Sequence, residues 1–297
     1  MGINNVIICG LGALGLTYAN KLIPKCDLKI LADKKRINKY KAQKPIFNNK
    51  PLNLNYILPD ETWDADLIII TTKSIGLDSA IEYIKNFVSE KTIIISLING
   101  ISSEGKIKEA YPQAQVLRSY FIGHSAMKSE NEGSIKYFQD GIGKIVIEYN
   151  KELEAFFKTT EISYEISKDI VYSQWVKLGV NIILNQLSAI HKKTVGELRS
   201  MENFNNYRDN LLNEIKEVAY KYGVNKLDKY SSDVIESINL ISDDGKTSMY
   251  QDIISRRKTE VDIFSGEIIK LGKIYNIKTP VNQEIYDKIK LEEEDFS

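Results

Sequence analysis

The segment Gly10-Leu11-Gly12-Ala13-Leu14-Gly15 constrains this chain more than any other. It follows the apolar run Val6–Cys9 without a gap, and the helical pattern Ala13–Leu22 grows out of it. A GxGxxG match alone says little, because glycine is common. In a strand-to-helix turn each glycine acquires a job. Gly10 would permit the tight turn, Gly12 would let the backbone approach a pyrophosphate, and Gly15 would let helix and strand pack closely. The helix start offers unpaired N–H groups and the positive end of its dipole to a phosphate. The competing interpretation is a purely structural tight turn in an α/β domain.

The rest of the first half repeats the theme. Leu28–Leu31, Leu67–Thr71 and Ile93–Ile98 are continuous apolar runs, and helical stretches such as Leu77–Phe87 lie between such runs. Unbroken apolar runs suit strands buried on both faces of a parallel sheet. Their alternation with helices predicts a Rossmann-type doubly wound α/β domain. Ile142–Tyr149 alternates in polarity and reads as an antiparallel strand. After about residue 168 strand-like runs give way to stripes of helical period: Trp175, Leu178, Ile182 and Leu187, then Leu211, Ile215 and Val218. The expected division is therefore 1–167, dinucleotide-binding, and 168–297, all-helical. The proline-free segment 248–274 reads as one long helix.

Composition removes several function classes. Forty basic residues balance forty acidic ones in the 297-residue chain, which gives no basic face for nucleic acid. No apolar run approaches the ~18 residues that span a bilayer. Two cysteines, Cys9 and Cys26, make no disulfide framework and no zinc motif. A strand pattern begins almost at the first residue, so a cytoplasmic setting without a signal peptide is expected. Apolar faces in the helical half leave room for a homodimer.

Candidate chemistry lies in both halves. Asp33 stands about 20 residues past the glycines, where an acid bonds the ribose 2′-OH of NAD. Lys34-Lys35-Arg36 follow at once and would suit a 2′-phosphate. Their ordinary role is a solvated helix start. Lys73 and Asn99-Gly100 follow the third and fourth apolar runs, at strand ends where ligands of open α/β sheets sit; Asn99-Gly100 is also a plain turn dipeptide. In the helical half, Lys177, Asn181 and Asn185 at i, i+4, i+8 share one helix face. A polar surface stripe is the bland account. The functional one is a wall for an anionic substrate, with amides for hydroxyl and carboxylate groups and an ammonium able to give a proton. Ser248, Asp252, Thr259 and Glu260 would fall within about a third of the circumference of the long helix. Asp252 is better explained by an ion pair with Arg256 at i+4. His124 and His191 are the only histidines, a loop residue and a helix-end residue, and neither is assigned catalysis. No metal ligand set is present.

The chain resembles the ketopantoate reductase (2-dehydropantoate 2-reductase) family. The resemblance rests on Gly10–Gly15, Thr72-Lys73, Asn99-Gly100, the run Trp175-Val176-Lys177-Leu178-Gly179-Val180-Asn181 extending to Asn185, and Ser248-Met249-Tyr250-Gln251-Asp252 followed by Thr259-Glu260. The last two runs are far more specific than the glycine motif. The resemblance implies NAD(P)H-dependent reduction of ketopantoate, a branched 2-oxo acid, to pantoate in coenzyme A biosynthesis, in a cleft between the domains. Lys177 would be the proton donor to the ketone oxygen. Asn99, Asn181, Asn185 and Ser248 would bind substrate. Gly10, Leu11, Gly12, Ala13, Leu14 and Gly15 would hold the pyrophosphate. Lys73, Asn99, Ala126 (in Gly123-His124-Ser125-Ala126) and Glu260 would line the cofactor or reaction centre. NADPH is the cofactor implied. Many members carry arginine where this chain has Asp33, so NADH stays open. Two rivals stand beside this reading: a reductase of another branched 2-oxo acid, and a non-catalytic dinucleotide-binding protein that would have no use for an ammonium at position 177.

Overall fold

The computed structural model describes residues 2–123, 125–131, 134–140 and 143–296, of which 125–131 and 134–140 are described through the backbone alone. The chain divides into two compact units, residues 1–170 and 171–297.

In the first unit, β1 (Asn5–Cys9) leads into α1 (Ala13–Leu22), β2 (Asp27–Leu31) and α2 (Lys34–Gln43). Short strands β3 (Ile46–Phe47), β4 (Lys50–Pro51) and β5 (Asn55–Ile57) follow, then β6 (Leu67–Ile70), α3 (Leu77–Tyr83), β7 (Ile93–Ser96), α4 (Ser103–Ala110) and β8 (Gln115–Leu117). Six of these strands form one parallel sheet in the order β5-β2-β1-β6-β7-β8. That order reverses between β1 and β6, the switch point of a doubly wound sheet, outside whose carboxyl ends ligands bind. The strands are isoleucine-rich because both faces are covered: Val6, Ile7, Ile8, Leu67, Ile68, Ile69, Ile70, Ile93, Ile94 and Ile95 are each 0% exposed. Burying each such side chain stabilises the fold by roughly 1.5–3 kcal/mol.

The unit ends with β9 (Ser119–Ile122), β10 (Ser125–Asn131), β11 (Ser134–Asp140), β12 (Lys144–Ile147), α5 (Lys151–Lys158) and β13 (Tyr164–Ile166). β10 and β11 form an antiparallel pair that extends through β3 to β4, and β12 lies between β9 and β13. The expected strand over 142–149 is shorter than its polarity suggested. It pairs antiparallel with β9 but parallel with β13, and Ile145, Val146 and Ile147 are all buried rather than alternating.

The described residues of the second unit contain helices and no strand. They are α6 (Ile170–Val180, with its first residue in the first unit), a π turn (Asn181–Asn185), α7 (Gln186–His191), α8 (Val195–Arg199), α9 (Phe204–Tyr222), α10 (Leu227–Asn239), α11 (Ser248–Ile254), α12 (Ser265–Tyr275) and α13 (Pro280–Glu294). Trp175, Leu178, Ile182, Leu187, Leu211, Ile215 and Val218 are buried together with their stripes. The single long helix expected over 248–274 is absent. α11 stops at Ile254, Arg256 adopts a left-handed φ of 50°, and a 3₁₀ turn over Val261–Ile263 precedes α12. The break is held by one local contact and one long-range contact. Arg257 folds back, its amide donating to the Asp252 carbonyl and its Nε to Oδ1 of Asp252 at 2.9 Å. Thr259 is drawn to α13, where Glu293 Oε1 accepts from its N–H and its hydroxyl. Asp252 thus has its ion pair, but with Arg257 and not Arg256.

Candidate functional site

The glycine turn of the first unit is built for two different kinds of closeness. Gly10 has φ +108°, a conformation glycine alone adopts without strain, and a Cβ there would lie 2.7 Å from the Thr72 nitrogen. A Cβ on Gly15 would lie 2.0 Å from the Gly10 carbonyl oxygen. These two glycines seat α1 on the sheet. Gly12 is different: a Cβ there would meet nothing within 4 Å. It caps α1 with no side-chain hydrogen bond and no acid stands in the first turn, so the first amides face an uncluttered, electropositive space. The strand ends are tied together. The Thr71 amide donates to the Cys9 carbonyl at 2.9 Å, and Thr71 Oγ1 to the Gly10 carbonyl at 2.6 Å. The nitrogen and Cγ2 of Thr72 border Gly10, while its Oγ1, buried without a partner, lies on the Gly76 side. An open glycine and the first amides of α1 at a sheet switch point fit the diphosphate of a dinucleotide.

The neighbouring strand ends carry the other expected residues. Lys73 is exposed and precedes a 3₁₀ turn, Ser74–Gly76. Asn99 is half-buried beyond β7, and Gly100 takes φ +91° to turn the chain toward α4. Asp33 caps α2, accepting from the Arg36 amide at 2.8 Å. Ala126 lies on β10, where it pairs with Gln139; His124 lies outside the described residues.

In the second unit α6 is firmly seated. Tyr230 of α10 donates its hydroxyl to the Trp175 carbonyl at 2.9 Å, and a Cβ on Gly179 would lie 2.6 Å from that hydroxyl. Glycine at 179 is therefore required two residues beyond Lys177. Burial pushes the Tyr230 hydroxyl far above its ordinary range, so it acts as a neutral donor. Lys177, Asn181 and Asn185 are all half-buried. They do not lie on a uniform α-helix as their spacing suggested, because Asn181–Asn185 is a π turn. The difference favours alignment. In an α-helix each four-residue step overshoots a full turn by about 40°, so three positions drift around the axis. A π turn holds more residues per turn, and a four-residue step across it falls short. Asn185 is brought back toward the Lys177 line.

The π turn is held from its C-terminal side. The Gln186 amide nitrogen of the backbone bonds the Ile183 carbonyl, and its side-chain Nε2 bonds the Ile182 carbonyl at 3.0 Å. Gln186, 0% exposed, also donates to Ser265 Oγ at 2.8 Å and accepts from the Ser265 amide at 3.2 Å. Ser265 donates onward to Asn282, and Asn282 to Glu214. Ser248 begins α11 and is exposed. Its neighbour Thr247 is bonded to Ser188 Oγ, and Ser188 Oγ to the Asn185 carbonyl at 3.2 Å. The start of α11 is thereby tied to α7 just beyond the π turn. Glu260 is half-buried at the head of the 3₁₀ turn. Gln186, Ser188 and Thr247 escaped sequence reasoning. A glutamine on an apolar stripe and a threonine three residues before Tyr250 were the available signals, the second an ordinary N-cap. His191 ends α7 against Tyr207, and burial lowers its pKa.

A Rossmann-type nucleotide-binding unit with a helical partner carrying a lysine–asparagine stripe defines a class of oxidoreductases. The family model "Ketopantoate reductase PanE/ApbA" matches residues 6–152, and "Ketopantoate reductase PanE/ApbA C terminal" matches residues 169–293. The chain is similar to the 2-dehydropantoate 2-reductase of Vibrio cholerae, with 25% identity over 99% of each chain. It is also similar to that of Lactococcus lactis, with 31% identity over 72% of this chain and 71% of the other. Among solved structures, a complex of D-mandelate dehydrogenase with NADH superposes with a TM-score of 0.87 at 22% identity, covering 99% of this chain and all (100%) of that one. The chain belongs to the ketopantoate reductase family. Its cofactor is accordingly a nicotinamide dinucleotide. Among the described residues no helix is long and apolar enough to cross a membrane, and no group of metal-ligating side chains occurs.

Proposed function

We propose that this chain reduces ketopantoate to pantoate, with residues 1–167 holding the dinucleotide and residues 168–297 the 2-oxo acid. The observation that carries this reading is the Lys177–Asn181–Asn185 stripe, bent into line by a π turn within a family of reductases. When bound, the reduced nicotinamide supplies a hydride to C2 of the ketone. Gly10 to Gly15 and the first amides of α1 hold the diphosphate; Lys73 and Ala126 lie at the cofactor. Lys177 holds the negative charge that grows on the ketone oxygen and gives it a proton, completing the hydroxyl. Asn181, Asn185 and Ser248 bond the carboxylate and hydroxyl groups, Asn99 meets both ligands, and Glu260 lies at the reaction centre, orienting the amine. Alignment of the reactants is the larger part of the protein's work.

The test is a steady-state assay of ketopantoate with NADPH and NADH, run beside a panel of branched and aromatic 2-oxo acids. Ketopantoate should give the highest kcat/KM. The panel includes the 2-oxo acid that corresponds to mandelate, because a D-mandelate dehydrogenase shares the fold. A clear preference for that acid would replace the named substrate while retaining the roles of Lys177 and the asparagines.

A further inference from the structure

We infer that Asp33 makes this chain an NADH-selective protein that discriminates against the 2′-phosphate of NADPH. The inference rests on the dinucleotide-binding reading above, but not on the identity of the oxo acid.

The sheet register places the residue. Cys9 pairs with Leu31 across the parallel β1–β2 ladder. Gly10 and Ala32 therefore leave the sheet at the same edge, and Asp33 follows directly. This is the strand end where the adenosine ribose of a dinucleotide held on the glycine turn comes to lie. A carboxylate there can accept from a ribose 2′-hydroxyl. It repels a 2′-phosphate, which carries up to two negative charges.

The carboxylate is fixed. Oδ1 accepts the Arg36 amide at 2.8 Å as the N-cap of α2. Oδ2 lies 3.6 Å from the Arg36 Nε and 3.5 Å from the Tyr83 hydroxyl. Swinging aside to admit a phosphate would uncap the helix, which restrains the carboxylate where it is. The three consecutive cations do not reverse the sign. Arg36 is engaged with Asp33 itself. Lys34 and Lys35 are exposed on the first turn of α2, where strongly hydrated ammonium groups on flexible stems lose little by staying in water.

Calorimetric titration of the full chain with NADH and with NADPH, in the absence of any oxo acid, reads the preference without turnover. NADH should bind at least about tenfold more tightly. In the variant Asp33→Asn the cap survives, since asparagine caps a helix as well as aspartate does, while the charge is gone. Its melting temperature should match the wild type, and the gap between the two dinucleotides should collapse, chiefly through tighter NADPH binding. Equal or tighter binding of NADPH by the wild type overturns the inference. So does an unchanged ratio in Asp33→Asn. Selective NADH binding without ketopantoate turnover would sink the substrate reading and leave this one standing.

Discussion

Gly15 packs so closely on Gly10 that a Cβ at 15 would fall 2.0 Å from the Gly10 carbonyl oxygen, while three residues earlier Gly12 borders open space. Two glycines of one motif thus serve opposite ends, one the packing of the fold and the other the approach of a ligand. Gly15→Ala should destabilise the protein by roughly 1–3 kcal/mol or more, as overpacking does, visible as a lowered urea midpoint. Gly12→Ala should melt like the wild type yet bind NADH at least about tenfold more weakly, because its new methyl occupies the space a diphosphate needs. A Gly12→Ala variant that binds normally would remove the open face of the turn from the site.

In the proposed reaction Lys177 is the residue on which the chemistry turns. Lys177→Ala should lower kcat by about two to four orders of magnitude, the range for loss of a general acid. Dinucleotide affinity measured by calorimetry should stay unchanged. Unaltered turnover would eliminate the amine as proton donor.

How much of this was readable in advance depends on the range of the interactions concerned. The strand, glycine turn and helix over residues 5–22 were legible because each step is local: an apolar run, a glycine at positive φ and a helical period. The break between α11 and α12 was not. No glycine or proline marks it, and its causes are the pull of Glu293 on Thr259, 34 positions away, and the return of Arg257 to Asp252. The π turn was equally hidden. Lys177, Asn181 and Asn185 show the spacing of a plain α-helix, while the group that reshapes it, Gln186, is anchored to Ser265 at a separation of 79 residues. The residue types of the proposed site were therefore visible, and the π turn that carries two of them was not.

The two cysteines have no catalytic duty in this scheme, and their environments make them inert. Burial pushes the Cys9 thiol up to about 12, opposed by the nearby Arg36, and burial followed by Asp27 pushes Cys26 up to about 12. Because only the thiolate attacks, labelling by a disulfide reagent at pH 8 should be about a thousandfold slower than for a free thiol. The raised values also set a sign. The folded state holds both protons more tightly than the unfolded chain, so this stabilisation is intact below the unfolded thiol range and is lost as pH climbs toward 12. Both thiols should react at once in denaturant. Rapid native labelling of Cys26 would show that the burial around it opens.

Gln186 should act on substrate binding from a position that touches none. Its side chain bonds Ile182, inside the π turn, and Ser265, which passes the connection to Asn282 and Glu214. Gln186→Leu keeps most of the volume but leaves the Ile182 carbonyl and the Ser265 groups short of partners, a loss of about 1–3 kcal/mol per orphaned group. If the turn then relaxes toward regular α-helix, Asn185 drifts off the Lys177 line. The 2-oxo acid KM should rise about tenfold or more while dinucleotide affinity holds, the mark of lost ground-state contacts rather than lost chemistry. Asn185→Ala should produce a similar rise, and the double variant little beyond either single one, because residues acting through one another are not additive. Glu214→Gln, at the far end of the network, supplies the control for stability: it should lower the melting temperature with a smaller change in KM. Additive KM effects of Gln186→Leu and Asn185→Ala would show that the buried glutamine supports the fold alone and that the asparagine stripe is aligned by something else.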